Sequence, residues 1–392
     1  MFAGRDAGPY FASRDHREDQ APWSRSDPVY RSGKMTFRRQ HRTSTRQNRA
    51  LRSFIVTRLL VTGAAGFIGA NFVHYWTKTH PDDQLVAYDL LTYAGSETNL
   101  ESVREQITFI RGDIGDQAKV EEVLAQHQVD VVVNFAAESH NSLAVLDPGR
   151  FFETNVLGTQ RLLEACRRRR VARLHHVSTC EVYGDMALDD PGAFTEDSAY
   201  RPRTPYNASK AAADHAVRAY HETFGLPITI TNCCNNYGPH QFPEKVVPVF
   251  VTNALQDQPL PVYATSQNRR EWLHVDDHCR AIDAVLCRGR LGETYNVGSG
   301  HEASVDELAT LVLEALDKPA SMVSSVPDRP GHDRRYLLDS GKIRRELGWI
   351  PLVDFETGIR DTIRWYADNA DWWAPLLKRR AVDERSWEAA PA

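Results

Sequence analysis

Residues 58–69 read Arg58-Leu59-Leu60-Val61-Thr62-Gly63-Ala64-Ala65-Gly66-Phe67-Ile68-Gly69, a short apolar run broken by glycines in G-x-x-G-x-x-G spacing. The run fits a strand buried on both faces, and the glycines fit a tight turn into a helix expected over Phe67 to Lys78. Asp89 stands 20 residues beyond Gly69, at the end of a second expected strand, Leu85 to Asp89. A strand, a glycine turn, a helix and a strand closed by an acid open a dinucleotide-binding α/β unit. The glycines let a pyrophosphate approach the helix N-terminus. The acid bonds the adenosine ribose hydroxyls and repels a 2′-phosphate, which favours NAD over NADP. The competing reading of the glycines is an ordinary structural turn.

The alternation continues. Strands are expected at Thr108 to Asp113, Val129 to Phe135, Leu174 to Ser178 and Ile228 to Asn232, and helices at Val120 to Gln128, Pro148 to Arg169 and Tyr206 to Phe224. Such a pattern means an α/β fold, a Rossmann-like doubly wound parallel sheet covered on both faces. After Asn235, prolines at 239, 243, 248, 259 and 261 break the chain into short segments mixed with helices such as Ser304 to Leu316. This stretch is expected to form a smaller C-terminal substrate-binding lobe over the C-terminal edge of the sheet, with the site in the cleft between. The expected division is a dinucleotide domain over 56–235, a mixed lobe over 236–380 with elements interleaved, and a tail over 381–392.

Residues 1–55 hold 12 Lys+Arg against 5 Asp+Glu, in a chain with 47 and 52 overall. They read as a disordered extension or a start placed too early, with Met35 and Val56 as later candidates; an RNA-binding or targeting arm is the other reading. The acidic body argues against nucleic acid as a partner. No stretch of about 18 apolar residues suggests a membrane span, and no compact apolar leader suggests secretion. The six cysteines, at 166, 180, 233, 234, 279 and 287, show no C-x-x-C spacing. Neither a metal site nor a disulfide framework is expected, and a reducing cytoplasm fits.

Tyr206-Asn207-Ala208-Ser209-Lys210 places Tyr206 and Lys210 at i, i+4 on one helical face. A phenol has a pKa near 10, which a neighbouring ammonium and a positive nicotinamide are expected to lower. Tyr206 could then take a proton from a sugar hydroxyl, with Thr179 or Ser178 bonded to the same hydroxyl. By itself such a pair is more often a solvated face; the glycine turn upstream favours the catalytic reading.

Longer runs carry a narrower likeness: Asp89-Leu90-Leu91-Thr92-Tyr93-Ala94-Gly95, Asn134-Phe135-Ala136-Ala137-Glu138-Ser139-His140, Val177-Ser178-Thr179-Cys180-Glu181-Val182-Tyr183-Gly184, Thr231-Asn232-Cys233-Cys234-Asn235-Asn236-Tyr237-Gly238-Pro239, Phe242-Pro243-Glu244-Lys245, Arg270-Glu271-Trp272 and Asp328-Arg329-Pro330-Gly331-His332-Asp333-Arg334-Arg335-Tyr336. From about Arg58 to Trp373 the chain resembles the extended short-chain dehydrogenase/reductases and, within them, the dTDP-glucose 4,6-dehydratases of deoxysugar biosynthesis. The resemblance implies a tightly held NAD, a nucleotide-diphosphate sugar as substrate (TDP-glucose or a related UDP-sugar), and a homodimer joined through two helices of each subunit. Toward NAD it implies Gly63, Gly66, Phe67, Ile68, Gly69, Asp89, Leu91, Thr92, Asp113, Ile114, Ala136, Ala137, Ser139, Thr154, Ser178 and Asn236. Toward the nucleotide sugar it implies His140, Asn235, Lys245, Val246, Tyr263, Arg270, Arg329 and His332. Thr179, Cys180, Glu181, Tyr206 and Lys210 are the implied catalytic group.

In that chemistry Tyr206 and NAD oxidise C4, Glu181 removes the acidified C5 proton, and the residue before Glu181 protonates the departing C6 hydroxyl before hydride returns. The family has aspartic acid there; this chain has Cys180. A thiol, with a pKa near 8.5 against about 3.9, carries its proton at neutral pH but is the weaker acid. Glu181 could itself return the proton to O6. The Cys-Glu pair is also similar to that of a sugar-nucleotide 5,6-dehydratase and of UDP-apiose/xylose synthases. A 5,6-ene product, a 4- or 5-epimerase, a UDP-uronate decarboxylase and a non-catalytic NAD-binding protein remain alternatives, and Cys180 could be a small buried filler. Two further departures stand out. Asn141-Ser142-Leu143-Ala144 replaces the usual Val-Asp-Arg-Ser, and an asparagine common near Val305 is absent.

Overall fold

The computed structural model describes residues 56–264, 267–328 and 330–380. The expected extension over 1–55, the tail over 381–392 and Arg329 lie outside the described residues.

Strand β1 (Arg58–Thr62), helix α1 (Phe67–Thr79) and strand β2 (Gln84–Asp89) form the opening unit. β3 (Ile107–Arg111), α2 (Gln117–Gln126), β4 (Val131–Asn134) and α3 (Asn141–Leu146) follow. A helical rod comes next, in which α4 (Pro148–Phe151) passes through a π-helical segment, Phe152–Gly158, into α5 (Thr159–Arg169). Then come β5 (Arg173–Thr179), α6 (Pro205–Phe224), β6 (Ile228–Cys233), β7 (Asn235–Tyr237), α7 (Val246–Leu255), β8 (Leu260–Tyr263) and β9 (Arg269–His274). The remainder is α8 (Val275–Arg288), β10 (Thr294–Val297), β11 (Glu302–Ser304), α9 (Val305–Ala315), β12 (Val323–Val326), α10 (Gly341–Leu347), α11 (Phe355–Asp368) and α12 (Ala370–Leu377).

Seven strands make one parallel sheet in the order β10-β6-β5-β4-β1-β2-β3. Successive side chains leave opposite faces. Leu60, Val86, Val132, Leu174 and Ile228 meet Val120 and Leu124 of α2, Leu162 and Leu163 of α5 and Val217 of α6. Leu59, Val61, Ala87, Val133 and Val177 meet Ala70, Phe72 and Val73 of α1 and Val275, Cys279, Ile282 and Leu286 of α8. Both faces are dry, which is why the strand segments read as unbroken apolar runs rather than alternating ones. The strand order reverses between β1 and β4, so a crevice opens beyond their C-terminal ends.

The chain does not leave the sheet at residue 235. It builds β7, α7, β8 and β9 of the lobe, returns to lay α8 under α1 and add β10 beside β6, and then goes back. The lobe expected over 236–380 with elements interleaved thus lends α8 and β10 to the sheet layer. β10 is only four residues long, too short for its pattern to be told from lobe segments. The lobe holds a three-stranded sheet, β11-β9-β7, and a pair, β12-β8. Its core gathers Phe250, Trp272, Leu308, Val312, Phe355, Ile359 and Trp373. No helix among the described residues is long and apolar enough to cross a membrane.

Candidate active site

The crevice is a cleft of about 320 Å³. Gly63, Gly66, Phe67, Ile68, Gly69, Asp89, Thr92, Asp113, Ile114, Ala136, Ala137, Ser139, Thr154, Ser178 and Asn236 all line it. So do Thr179, Glu181, Tyr206, Lys210, Asn235 and Lys245. Leu91, His140, Cys180, Val246, Tyr263, Arg270 and His332 do not line this cleft.

The glycine turn leaves no room for side chains. Gly63 has φ +67°, and a Cβ on it would sit 2.6 Å from the Ala136 nitrogen; a Cβ on Gly69 would sit 2.1 Å from the Gly63 oxygen. Gly66 caps α1 without a side-chain acceptor, and the first turn holds no acid. The first N–H groups of α1 are thus left facing the cleft mouth with a positive helix end, a cradle suited to a pyrophosphate. Asp89 is buried at the tip of β2, where its carboxylate accepts from the Ala65 N–H at 2.9 Å and the Leu91 N–H at 2.7 Å. Burial raises its pKa, and the two N–H groups oppose that shift. Leu91 takes φ +58° behind this turn, so its N–H rather than its side chain serves the site.

β5 ends at Thr179, and α6 starts at Pro205 under a Thr204 cap whose hydroxyl accepts from the Asn207 N–H at 3.2 Å. These two ends bring Thr179 into hydrogen-bond contact with Tyr206. Lys210 is buried and donates to the Val177 carbonyl at 2.8 Å, with the His176 Nε2 at 3.5 Å. The lowering expected for Tyr206 rests on an ammonium and a positive nicotinamide together; the ammonium by itself does not supply it. Burial pushes the Tyr206 pKa well above the ordinary phenol value, the Glu181 charge adds to this, and only the Thr179 bond opposes. The Lys210 ammonium faces a backbone carbonyl and the buried His176–Asp214 pair instead of the phenol. The Ser178 hydroxyl donates to Asp214 at 2.9 Å, so toward a sugar hydroxyl it is left with acceptor lone pairs only.

Glu181 lies half-buried on the cleft wall and accepts from the Asn141 amide at 3.2 Å. The Asn141 carbonyl accepts in turn from the Thr204 hydroxyl at 3.4 Å. Cys180 is not among the cleft-lining residues but lies just behind them, in a buried cluster with the lining residues Cys233 and Cys234. It is 1% exposed and packs with Cys233, Cys234, Leu273 and Ala281. Burial holds its thiol pKa well above the ordinary value, and the neighbouring Glu181 adds to this.

On the lobe side Lys245 reaches across and donates to the Ser139 carbonyl at 2.6 Å. Val246 opens α7 and packs on the lobe core. The Arg270 guanidinium donates to the carbonyls of Arg269, Arg334 and Asp333 and lies 4.8 Å over the Tyr336 ring, so it braces the 333–336 segment. Tyr263 meets His332 edge-on at 5.3 Å, and the His332 Nδ1 lies 2.7 Å from Asp328 and 3.2 Å from the Asn268 amide. His140 caps α3 through Nδ1 and holds its Nε2 3.7 Å from Glu244.

Three residues in or beside the cleft were given no role from the sequence. Asn141, beside the cleft, opens the segment that departs from the family pattern, and it holds Glu181. Glu138 and Glu244 line the cleft, and burial raises both, Glu244 to about 7. Tyr93 donates to Glu244 at 3.0 Å and Arg150 to Glu138 at 2.8 Å. A carboxylate within an apolar, proline-flanked run such as Phe242-Pro243-Glu244 was the available signal.

The GDP-mannose 4,6 dehydratase family pattern matches residues 60–362. The dTDP-glucose 4,6-dehydratase of Xanthomonas campestris pv. campestris is 49% identical over 338 residues, spanning 81% of this chain and 95% of that protein. A Streptomyces venezuelae dTDP-glucose 4,6-dehydratase, solved with NAD bound, superposes with a TM-score of 0.79 at 49% identity over 82% of this chain and all of that one. The Thermus thermophilus UDP-glucose 4-epimerase, solved with NAD, gives 0.74 at 33% identity over 80% of this chain. By this match of sequence and fold over most of its length, this chain belongs to the dTDP-glucose 4,6-dehydratase family of extended short-chain dehydrogenase/reductases.

Proposed function

We propose that the protein is an NAD-dependent hydro-lyase that converts a nucleotide-diphosphate glucose, dTDP-glucose first among them, into its 4-keto-6-deoxy product. The observation that carries this reading is the placement of Glu181, Thr179 and Tyr206 on the floor of the cleft that the glycine turn closes. The α1 N-terminus and Asp89 fit the pyrophosphate and ribose of NAD, and the bound dinucleotide supplies hydride acceptance from C4 and its return at C6. Tyr206 takes the O4 proton, with Thr179 fixing the phenol. Lys210, held by the Val177 carbonyl, positions the helix turn that presents Tyr206. Glu181, aimed by Asn141, removes the C5 proton once C4 is a ketone. With the Cys180 thiol buried behind the lining and its pKa held high, Glu181 also returns a proton to the departing O6. Lys245 and Asn235 are placed for the diphosphate, and Tyr263 and His332 for the outer part of the substrate.

The enzyme works in the cytoplasm as a homodimer. The exposed apolar side chains of Phe152 and Leu157, at 42% and 51% exposure on the helical rod, support that assembly.

A second reading rests on Cys180: without a dedicated proton donor beside Glu181, the product could be a 5,6-ene sugar. One experiment separates the two. The protein is incubated with dTDP-glucose, and separately with UDP-GlcNAc, and products are read by mass and NMR. Loss of one water with a C6 methyl and a C4 ketone supports the 4,6-dehydratase. An exocyclic alkene supports the second reading. Exchange without mass loss points to an epimerase, and no turnover removes the catalytic proposal.

A further inference from the structure

The C-terminal end of the described chain touches both walls of the cleft. α12 is rooted in the lobe through Trp373, which is 4% exposed and donates to the Tyr366 carbonyl at 2.8 Å. From there three side chains reach out. Trp372 donates to the Asn99 side chain at 2.8 Å, and Asn99, itself buried, donates to the Ala65 carbonyl inside the glycine turn at 2.9 Å. Arg379 donates to two carbonyls at once, Thr92 at 2.9 Å and Gly95 at 3.0 Å. Arg380, the next residue, donates to the Pro243 carbonyl on the opposite wall.

The bonded loops are parts of the cleft lining. Thr92, Ala94 and Gly95 line the side that Asp89 closes, and Phe242, Glu244 and Lys245 line the other. The first loop lies directly on Asp89, since a Cβ on Gly95 would come 2.9 Å from its carboxylate. A ligand seated against Asp89 and the α1 N-terminus can leave only if the 92–95 loop lifts or the lobe swings away. Either motion breaks the bonds of Arg379 or Arg380. A guanidinium bridging two carbonyls is well suited to such a latch, because it fixes both with one planar group.

We infer that α12 with Arg379 and Arg380 forms a strap that ties the lobe to the adenosine-side loop and sets how slowly the dinucleotide leaves the cleft. This rests on the cleft holding NAD. Arg379 and Trp372 are positioning residues: neither lines the cleft. A recycled cofactor gains from such a device, because the same molecule must stay through oxidation and reduction within one turnover.

The test uses the full chain. NAD per protomer is counted after denaturation, and release is timed by chasing bound NAD with excess labelled NAD. Arg379→Ala is expected to speed release by about tenfold, the effect of losing a charge-assisted bridge. Trp372→Phe, which keeps the ring and loses its donor, should speed release to a smaller degree. Arg364→Ala, on the exposed face of α11 with Asp361 as its partner, should change nothing. The thermal midpoint of the NAD-stripped proteins should stay together, separating a latch from general loosening. An unchanged release rate in Arg379→Ala and Trp372→Phe overturns the strap, as does a rate change matched by a fall in the stripped midpoint. Wild-type protein that neither carries nor binds NAD overturns the reading of the cleft itself, and the strap falls with it.

Discussion

Glu181 owes its aim to Asn141, and Asn141 owes its own to Thr204. Removing the acid and removing its support should therefore differ in degree. Glu181→Gln is expected to lower kcat by about 10²- to 10⁴-fold, the range for a lost general acid–base group. Asn141→Ala should lower kcat by roughly tenfold while KM stays put, since one hydrogen bond to a charged group is lost and no substrate contact is. Steady-state rates on dTDP-glucose read both. Cys180 makes the sharper test. If Glu181 does both proton transfers, Cys180→Ala keeps turnover within about tenfold and exchanges C5–H and loses water in step. Should Cys180→Ala exchange C5–H yet stop losing water, the thiol is the donor after all. The sequence alone could identify position 180 as unusual, but not the direction of its side chain. A four-residue 3₁₀ turn, Cys180–Tyr183, decides that Glu181 lines the cleft and Cys180 is buried behind it.

At the scale of elements, most strands and helices of the sheet were legible because apolar strand runs alternate with helical stretches, the pattern of a sheet covered on both faces. The rod over 148–169 was legible as a helix but not as a helix with a π turn. Such a turn shifts the hydrogen-bond register by one residue and leaves no mark in composition. It matters because it turns Thr154 toward the cleft and Asn155 inward. Asn155 is 1% exposed, accepts from the Glu138 N–H at 2.8 Å, and donates to the Glu138 carbonyl at 3.0 Å and the Ser209 hydroxyl at 2.8 Å. It thus joins the rod to the 138–140 loop and to α6. Asn155→Ala strands buried backbone groups, and a loss of about 2–3 kcal/mol is expected in urea unfolding. The lobe was less legible. Its strands run three to six residues, and their partners are set by the cleft geometry rather than by local pattern.

Across the whole molecule, Glu271 is one of the pins between the lobe and the chain that returns from the sheet. It is fully buried on β9 and accepts from the Gly300 N–H at 2.6 Å and the Leu338 N–H at 3.0 Å. Burial raises its pKa to about 7 against those two N–H groups. A carboxyl that holds its proton more tightly when folded contributes stability below its unfolded pKa, near 4.3, and loses it as pH rises through about 7. The stability advantage of wild type over Glu271→Gln should accordingly shrink between pH 5 and pH 8, by an amount on the order of 3 kcal/mol, as read by chemical unfolding at each pH. An advantage that stays level over that interval would mean the folded carboxyl is already charged at pH 5.

The return of α8 and β10 to the sheet also dictates an order of events during synthesis. Until residue 297 has emerged, β6 is an open edge and the underside of α1 is bare, so a nascent chain ending at 235 presents unpaired backbone and apolar surface to its surroundings. The amino-terminal unit therefore cannot mature ahead of the lobe, and the two must condense together through contacts far apart along the chain, a route that is slow by nature. Expressed alone, residues 56–235 should collect as insoluble aggregate, whereas residues 56–380 should stay dispersed.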